Sequence, residues 1–329
     1  MLSSDTHSKT SKQAGKKLED LFNAYFFEKY KFEDFISIEV QKEIKQVYGD
    51  VDRPVYGCSE KLKNFHRFLN VFIFSKLKIS EDVVFSYRQG KNVVDAVIPH
   101  AESKYFFKTD IERFFPSVTA QLIKETITKS SESLGVTDLY DYIDLLVYLV
   151  TINSRLPIGF STSPIVSNAC MYEFDKKILE YSNEKDMVYT RYADDIIISS
   201  ELKFDSLELQ GKIASILSED TSASFRLNVK KTKILSKASK VKMLGVVILP
   251  SGKITVDIQI KNKVESMIYF YLNDKEKLLK LSDMPYESTL SNLSGLLNHI
   301  NTIDKTYLDK LRMKYGNAVV DMFFHKSVK

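Results

Sequence analysis

The chain has 329 residues, enough for two or three compact subdomains, and its 44% hydrophobic content can fill their cores. With 47 Lys plus Arg against 43 Asp plus Glu, the net charge of +4 excludes any argument for nucleic-acid binding from bulk charge and demands local basic clusters instead. Two cysteines, Cys58 and Cys170, exclude a disulfide framework and a Cys-based zinc site, and no apolar run is long enough to cross a bilayer.

Residues 1–15 are polar and lysine-rich, without the apolar stretch of a secretory signal, and are expected to form a flexible tail. From Lys16 to about Tyr48 the apolar positions Leu18, Leu21, Phe22, Tyr25, Phe26 and Phe35 recur at spacings near three and four, which predicts helices. A short strand is expected over residues 53–56 and a helix over 59–77. Residues 105–108 are aromatic and β-prone and run into Asp110, so a buried strand is predicted to end where a carboxylate appears. Residues 137–153 read as helix, and Ser163 and Pro164 open another, as N-cap and first-turn residues, that should reach about Tyr181.

Residues 187–192 and 196–199 are two strand-forming runs separated by Ala193, Asp194 and Asp195, the pattern of a hairpin with an acidic turn. A helix is expected over 207–217, then a hairpin of 240–248 with 253–258 around Pro250, Ser251 and Gly252. The remainder is helical and rich in leucine, tyrosine and lysine.

Asp194 lies 84 positions after Asp110, and a mixed sheet could bring Asp110, Asp194 and Asp195 to one edge. Three carboxylates together repel unless cations sit among them. Two Mg²⁺ ions, with Mn²⁺ as a substitute, would activate an attacking hydroxyl and stabilise a leaving oxygen in phosphoryl transfer. The plainer alternative is that Asp-Asp is ordinary turn chemistry, because aspartate tolerates tight turns.

Tyr192, Ala193, Asp194 and Asp195, preceded at a distance by Asp110, Phe114 and Phe115, match the tetrad of reverse transcriptases, and nearly the whole chain resembles the retron and related defence-associated reverse transcriptases of bacteria. Arg53, Val55, Tyr56, Ser59, Leu62 and Lys63 look like the opening block of the fingers, and Tyr87, Gly90, Lys91 and Asn92 like the next. Residues 108–117 are similar to the first palm motif and 156–168 to the second. Leu227, Asn228, Lys231 and Thr232 are similar to the fourth, and Leu244 with Gly245 to the primer-grip hairpin. Six blocks together with the tetrad, all in the right order, outweigh each block alone.

The resemblance implies an α+β right-hand polymerase with an antiparallel palm sheet and a helical thumb: fingers 16–100, palm 101–250, thumb 251–329. It implies RNA-directed DNA synthesis with Asp110, Asp194 and Asp195 as metal ligands, Ile111 beside them, and Lys231 as proton donor to the departing pyrophosphate. Phe115 would exclude a 2′-hydroxyl, selecting dNTPs, with a plain core-aromatic role as the lesser alternative and the expected role of Phe114. Arg53 and Lys91 would meet the triphosphate or template. Gly159 would allow close approach to a base pair, and Ile158 stands where many relatives carry glutamine. Tyr192, Leu244 and Gly245 would face primer and template.

The sequence departs from retron patterns at Ala96 and Val97, which break an Asn-Ala-x-x-His motif that would end on His100, and at Met243, Leu244 and Gly245, which replace Val-Thr-Gly. The implied partners are a structured noncoding RNA as template, a DNA product and dNTPs, without a membrane and with room for oligomerisation, in the bacterial cytoplasm and in antiphage defence. No space is expected after the thumb for an RNase H or endonuclease domain. Two other readings stand beside it: a template-independent or protein-primed polymerase of the abortive-infection type, and a catalytically silent RNA-binding scaffold.

Overall fold

The computed structural model describes residues 15–49, 53–219 and 224–325, so all of the expected N-terminal tail but Gly15 lies outside the described residues. The chain divides into two units, each assembled from separate stretches of sequence.

The first unit takes the described parts of Met1–Tyr87, Ile111–Ile178 and Gln210–Asn228. Helices Leu18–Phe26, Phe32–Ile36 and Glu60–Phe72 bury the faces that the three- and four-residue spacing predicted. Phe22 sits at the centre, with the rings of Phe26, Phe32, Phe35, Phe65 and Phe68 at centroid distances of 4.6–5.7 Å. Tilted and edge-on pairs of this kind add specific geometry to the burial itself. Ser59 starts the third helix by accepting a hydrogen bond from the Leu62 N–H at 3.1 Å. Helices Ala120–Lys129 and Leu139–Val150 complete the same core.

Three details of this unit differ from the sequence expectation. Residues 44–48, expected to be helical, form strand β1 (Ile44–Tyr48), because β2 (Val55–Cys58) supplies an antiparallel partner that local periodicity does not reveal. The helix predicted to run to about Tyr181 ends at Cys170, where Met171 N–H bonds tightly back to the Asn168 carbonyl at 3.2 Å, and a new helix spans Tyr172–Glu184. Its start also lies one residue earlier than expected: Thr162 holds the N-cap position, and the Ser163 hydroxyl donates to the Pro157 carbonyl at 2.6 Å.

The second unit takes Arg88–Asp110, Leu179–Leu209 and the described part of Val229–Lys329. Its larger sheet has the order β4-β5-β3-β6, antiparallel throughout, from β3 (Tyr105–Asp110), β4 (Val188–Tyr192), β5 (Asp195–Ser200) and β6 (Lys233–Ser236). Alternation puts Phe106, Lys108 and Asp110 on one face and Phe107 and Thr109 on the other. A second sheet holds β7 (Val241–Met243), β8 (Val246–Ile248) and β9 (Ile254–Val256). The run 240–248, expected as one strand of a hairpin, is itself folded back at Leu244 and Gly245.

Both sheets and the C-terminal helices of this unit share one core. Phe106 and Ile197 belong to the same buried cluster as Val246 and Ile248, and as Leu293, Leu297 and Ile300 of helix Tyr286–Ile303. Helices Ile258–Asn273 and Lys305–Tyr315 begin on Asp257 and Asp304, whose carboxylates accept from Gln259 and Tyr307 N–H groups at 2.9 and 3.1 Å. Among the described residues, no helix is long and apolar enough to cross a membrane.

Candidate active site

The acidic residues lie at one end of the larger sheet of the second unit. β3 ends on Asp110 and β5 begins on Asp195, and the two are directly paired across the strands. Like charges placed opposite each other destabilise a sheet unless something neutralises them. Here two lysines do so: Lys108 Nζ is 3.0 Å from Asp195 Oδ1, and Lys231 Nζ donates to Asp110 Oδ2 at 3.1 Å. Lys108 precedes Asp110 by two, so strand alternation alone puts both on one face.

Asp194 occupies the turn between β4 and β5. Tyr192 pairs with Asp195, leaving Ala193 and Asp194 as a two-residue loop in which Ala193 adopts a left-handed φ of 57°. Arg191 has no exposed surface and its Nη1 donates to the Ala193 carbonyl at 3.0 Å, fixing the turn from beneath. Burial raises the carboxyl pKa of Asp194, and the charges of Asp195 and Asp110 raise it further against an opposing backbone hydrogen bond and Lys231.

Asp110, Asp194 and Asp195 line one cavity of about 250 Å³ together with Lys108, Lys231, Lys233 and Lys242. Among the described residues, no group of three His, Cys, Asp or Glu side chains is already gathered around a single metal position. The donor chemistry nevertheless fits a divalent cation: three hard carboxylate groups share one cavity, and an added positive charge would relieve what raises Asp194. Lys231 is 60% exposed, so its ammonium group reaches the cavity from an accessible position.

The same sheet is stapled behind the acidic end by His100, which is fully buried. The Thr190 hydroxyl donates to the Ala96 carbonyl, so His100 Nε2 donates to Thr190 at 2.8 Å, and Nδ1 is hydrogen-bonded to the Ser199 hydroxyl at 2.6 Å. Burial lowers its pKa to about 3, and the ring ties β4 to β5 as a neutral imidazole.

The other residues singled out in the sequence are distributed between the two units. In the second, Tyr192 is half-buried beside the turn, Leu244 and Gly245 form the turn between β7 and β8, and Lys91 is exposed in a turn closed by its N–H on the Arg88 carbonyl. None of these four lines the acidic cavity.

In the first unit, Arg53 is exposed just ahead of β2, and Tyr56 N–H donates to the Ile158 carbonyl at 2.9 Å, bringing the 53–56 and 158–159 segments together. Gly159 has φ +107°, and a Cβ there would lie 2.2 Å from the Tyr56 carbonyl oxygen, so the close approach this glycine makes is to β2. Ile111, next in sequence to Asp110, forms an isolated bridge with Leu227. Phe115 is half-buried with Phe114 at 5.6 Å and Tyr87 at 6.2 Å between ring centroids.

Sequence reasoning passed over three residues of the acidic end. Lys108 was legible from its two-residue spacing to Asp110, and Arg191 from the oddity of an arginine inside a strand that leads into an acidic turn. Lys242 carries no such local signal; it reaches the cavity from β7 and pairs with Asp257 at 3.2 Å.

A family model described as "Reverse transcriptase (RNA-dependent DNA polymerase)" matches residues 52–248. The chain is 31% identical to the retron Ec73 reverse transcriptase of Escherichia coli, over 81% of this chain and 84% of that protein. It is 26% identical to the retron Ec83 enzyme (75% of this chain, 76% of the relative) and 26% to the retron Ec86 enzyme (80% and 78%), both also from Escherichia coli.

Proposed function

This chain belongs to the reverse transcriptase family, among the retron enzymes of bacteria, and from that premise we propose that it copies a structured noncoding RNA into DNA in bacterial antiphage defence. Membership gives RNA-directed DNA polymerisation on a right-hand polymerase fold, with a divalent metal, generally Mg²⁺. Two ions, the noncoding template, dNTPs as substrates and action in the cytoplasm are the finer parts of the proposal.

The observation that carries it is the placement of Asp110, Asp194 and Asp195 on one cavity by the end of β3 and the β4–β5 turn. These three carboxylates, with Ile111 beside them, are the residues that would hold the ions. Bound there, divalent cations supply the positive charge that lowers the pKa of an attacking hydroxyl and steadies a departing phosphate oxygen.

The remaining roles belong to the chain itself. Lys231, at an accessible position beside Asp110, hands a proton from Nζ to the pyrophosphate as it leaves. Phe115 closes the space a 2′-hydroxyl would need, Arg53 and Lys91 meet phosphate charge, and Ile158 packs by the nucleotide. Tyr192, Leu244 and Gly245 face the primer. In this reading residues 16–100 act as fingers, 101–250 as palm and 251–329 as thumb.

The test is to purify the protein from a bacterial host carrying its native flanking DNA and to sequence the RNA and DNA that come with it, for wild type and Asp194→Asn. A discrete RNA with complementary DNA only in the wild type is the expected result. DNA without a matching RNA would point to untemplated or protein-primed synthesis, and RNA without DNA in both would leave a scaffold.

A further inference from the structure

Four aromatic rings of the first unit form a chain. Phe225 stacks on Phe114 at 6.1 Å and 28°, Phe114 on Phe115 at 5.6 Å and 38°, and Phe115 on Tyr87 at 6.2 Å and 33°. The chain runs from cover to solvent: Phe114 is buried, Phe115 half-buried and Tyr87 44% exposed. Phe115 is thus flanked on one side by the buried ring of Phe114 and on the other by the exposed ring of Tyr87.

Tyr87 is also where the backbone is strained. Its φ is +57°, a left-handed conformation that bulky side chains rarely adopt. The residue before it is pinned: Ser86 is fully buried, and its carbonyl accepts from Nδ2 of Asn168, itself 2% exposed, at 2.9 Å. A strained residue held by a buried anchor, whose large apolar ring is left partly in water, is arranged to place that ring.

We infer that Tyr87 is a positioning residue for sugar discrimination, setting the plane and reach of the Phe115 ring so that dNTPs are accepted and rNTPs refused. The inference rests on the reading of Phe115 as the ring that meets the sugar. Without Tyr87, Phe115 has one fixed neighbour instead of two and can swing away from the sugar. The loss therefore appears as tolerance of the 2′-hydroxyl and less as slower use of the correct substrate.

The experiment measures kcat/KM for a matched dNTP and rNTP on an annealed RNA template and DNA primer, with thermal unfolding as a check on each variant. Tyr87→Ala should reduce the dNTP preference about tenfold, the scale one packing contact contributes to discrimination, and Tyr87→Phe should retain it. Tyr87→Asn, which suits the left-handed backbone and lacks the ring, should behave like Tyr87→Ala and covers a folding failure of the alanine variant. Phe115→Ala separates the two claims. If it relaxes the preference while Tyr87→Ala and Tyr87→Asn do not, the inference about Tyr87 is overturned; if neither position matters, the Phe115 reading falls and takes the inference with it.

Discussion

The β4–β5 and β7–β8 hairpins of the second unit each turn over two residues, and they distribute backbone strain differently. Between β7 and β8 both turn residues have positive φ, Leu244 at 52° and Gly245 at 80°. Between β4 and β5 only Ala193 does, and Asp194 keeps an ordinary backbone. These are the two favoured kinds of tight hairpin turn, and the second normally has glycine where this chain has alanine. A side chain that must point in one direction is placed at the relaxed position, and the strain is moved to its small neighbour. A buried arginine then holds that neighbour's carbonyl in place.

The largest expected effect falls on the relaxed position. Asp194→Asn should cut synthesis about 10³-fold, the scale of removing one electrostatic stabiliser from an active site. The same change should raise the thermal stability of the metal-free protein. Because the folded-state pKa of Asp194 lies above its ordinary value of 3.8, the ionised carboxyl disfavours the folded state at neutral pH. That penalty fades as pH falls through the raised value toward 3.8, so the melting-temperature difference between variant and wild type should shrink over the same window. A constant difference would mean that Asp194 is not the source.

Next comes the brace. Arg191→Met keeps the apolar stem but removes the donor to Ala193, and should destabilise by about 2 kcal/mol, as leaving a buried carbonyl without its charged donor does. Denaturant unfolding measures it, and a loss under about 1 kcal/mol, the worth of an ordinary hydrogen bond, would show that the turn holds itself. The smallest effect is at the other hairpin. Gly245→Ala meets only ordinary contacts, the nearest being His299 Cε1 at 3.6 Å, so its cost of about 1–2 kcal/mol should come from the backbone alone.

The acidic hairpin was legible because β-prone runs flank a turn-forming pair and nothing else competes with that pattern. The β7–β8 turn was hidden from the strand pattern because leucine is no turn former; only its likeness to a primer-grip hairpin pointed to it. β1 was hidden because its partner lies beyond a loop, and the break at Met171 because no glycine or proline marks it. That the three carboxylates come together on one cavity was legible from spacing and motif. Gly159 was recognised as needing closeness, but its neighbour, the Tyr56 carbonyl, depends on a pairing between distant segments.

Each unit is stitched from three stretches that alternate along the sequence, and this governs how the polypeptide can leave the ribosome. The phenylalanine cluster around Phe22 is made ahead of the rest of its unit, which also needs Gln210–Asn228. At about 5–20 residues per second, the nascent chain spends on the order of ten seconds between Tyr87 and Asn228 with that unit unfinished. No single cut in the gene yields both units whole, so split versions of this protein must be designed around the interleaving.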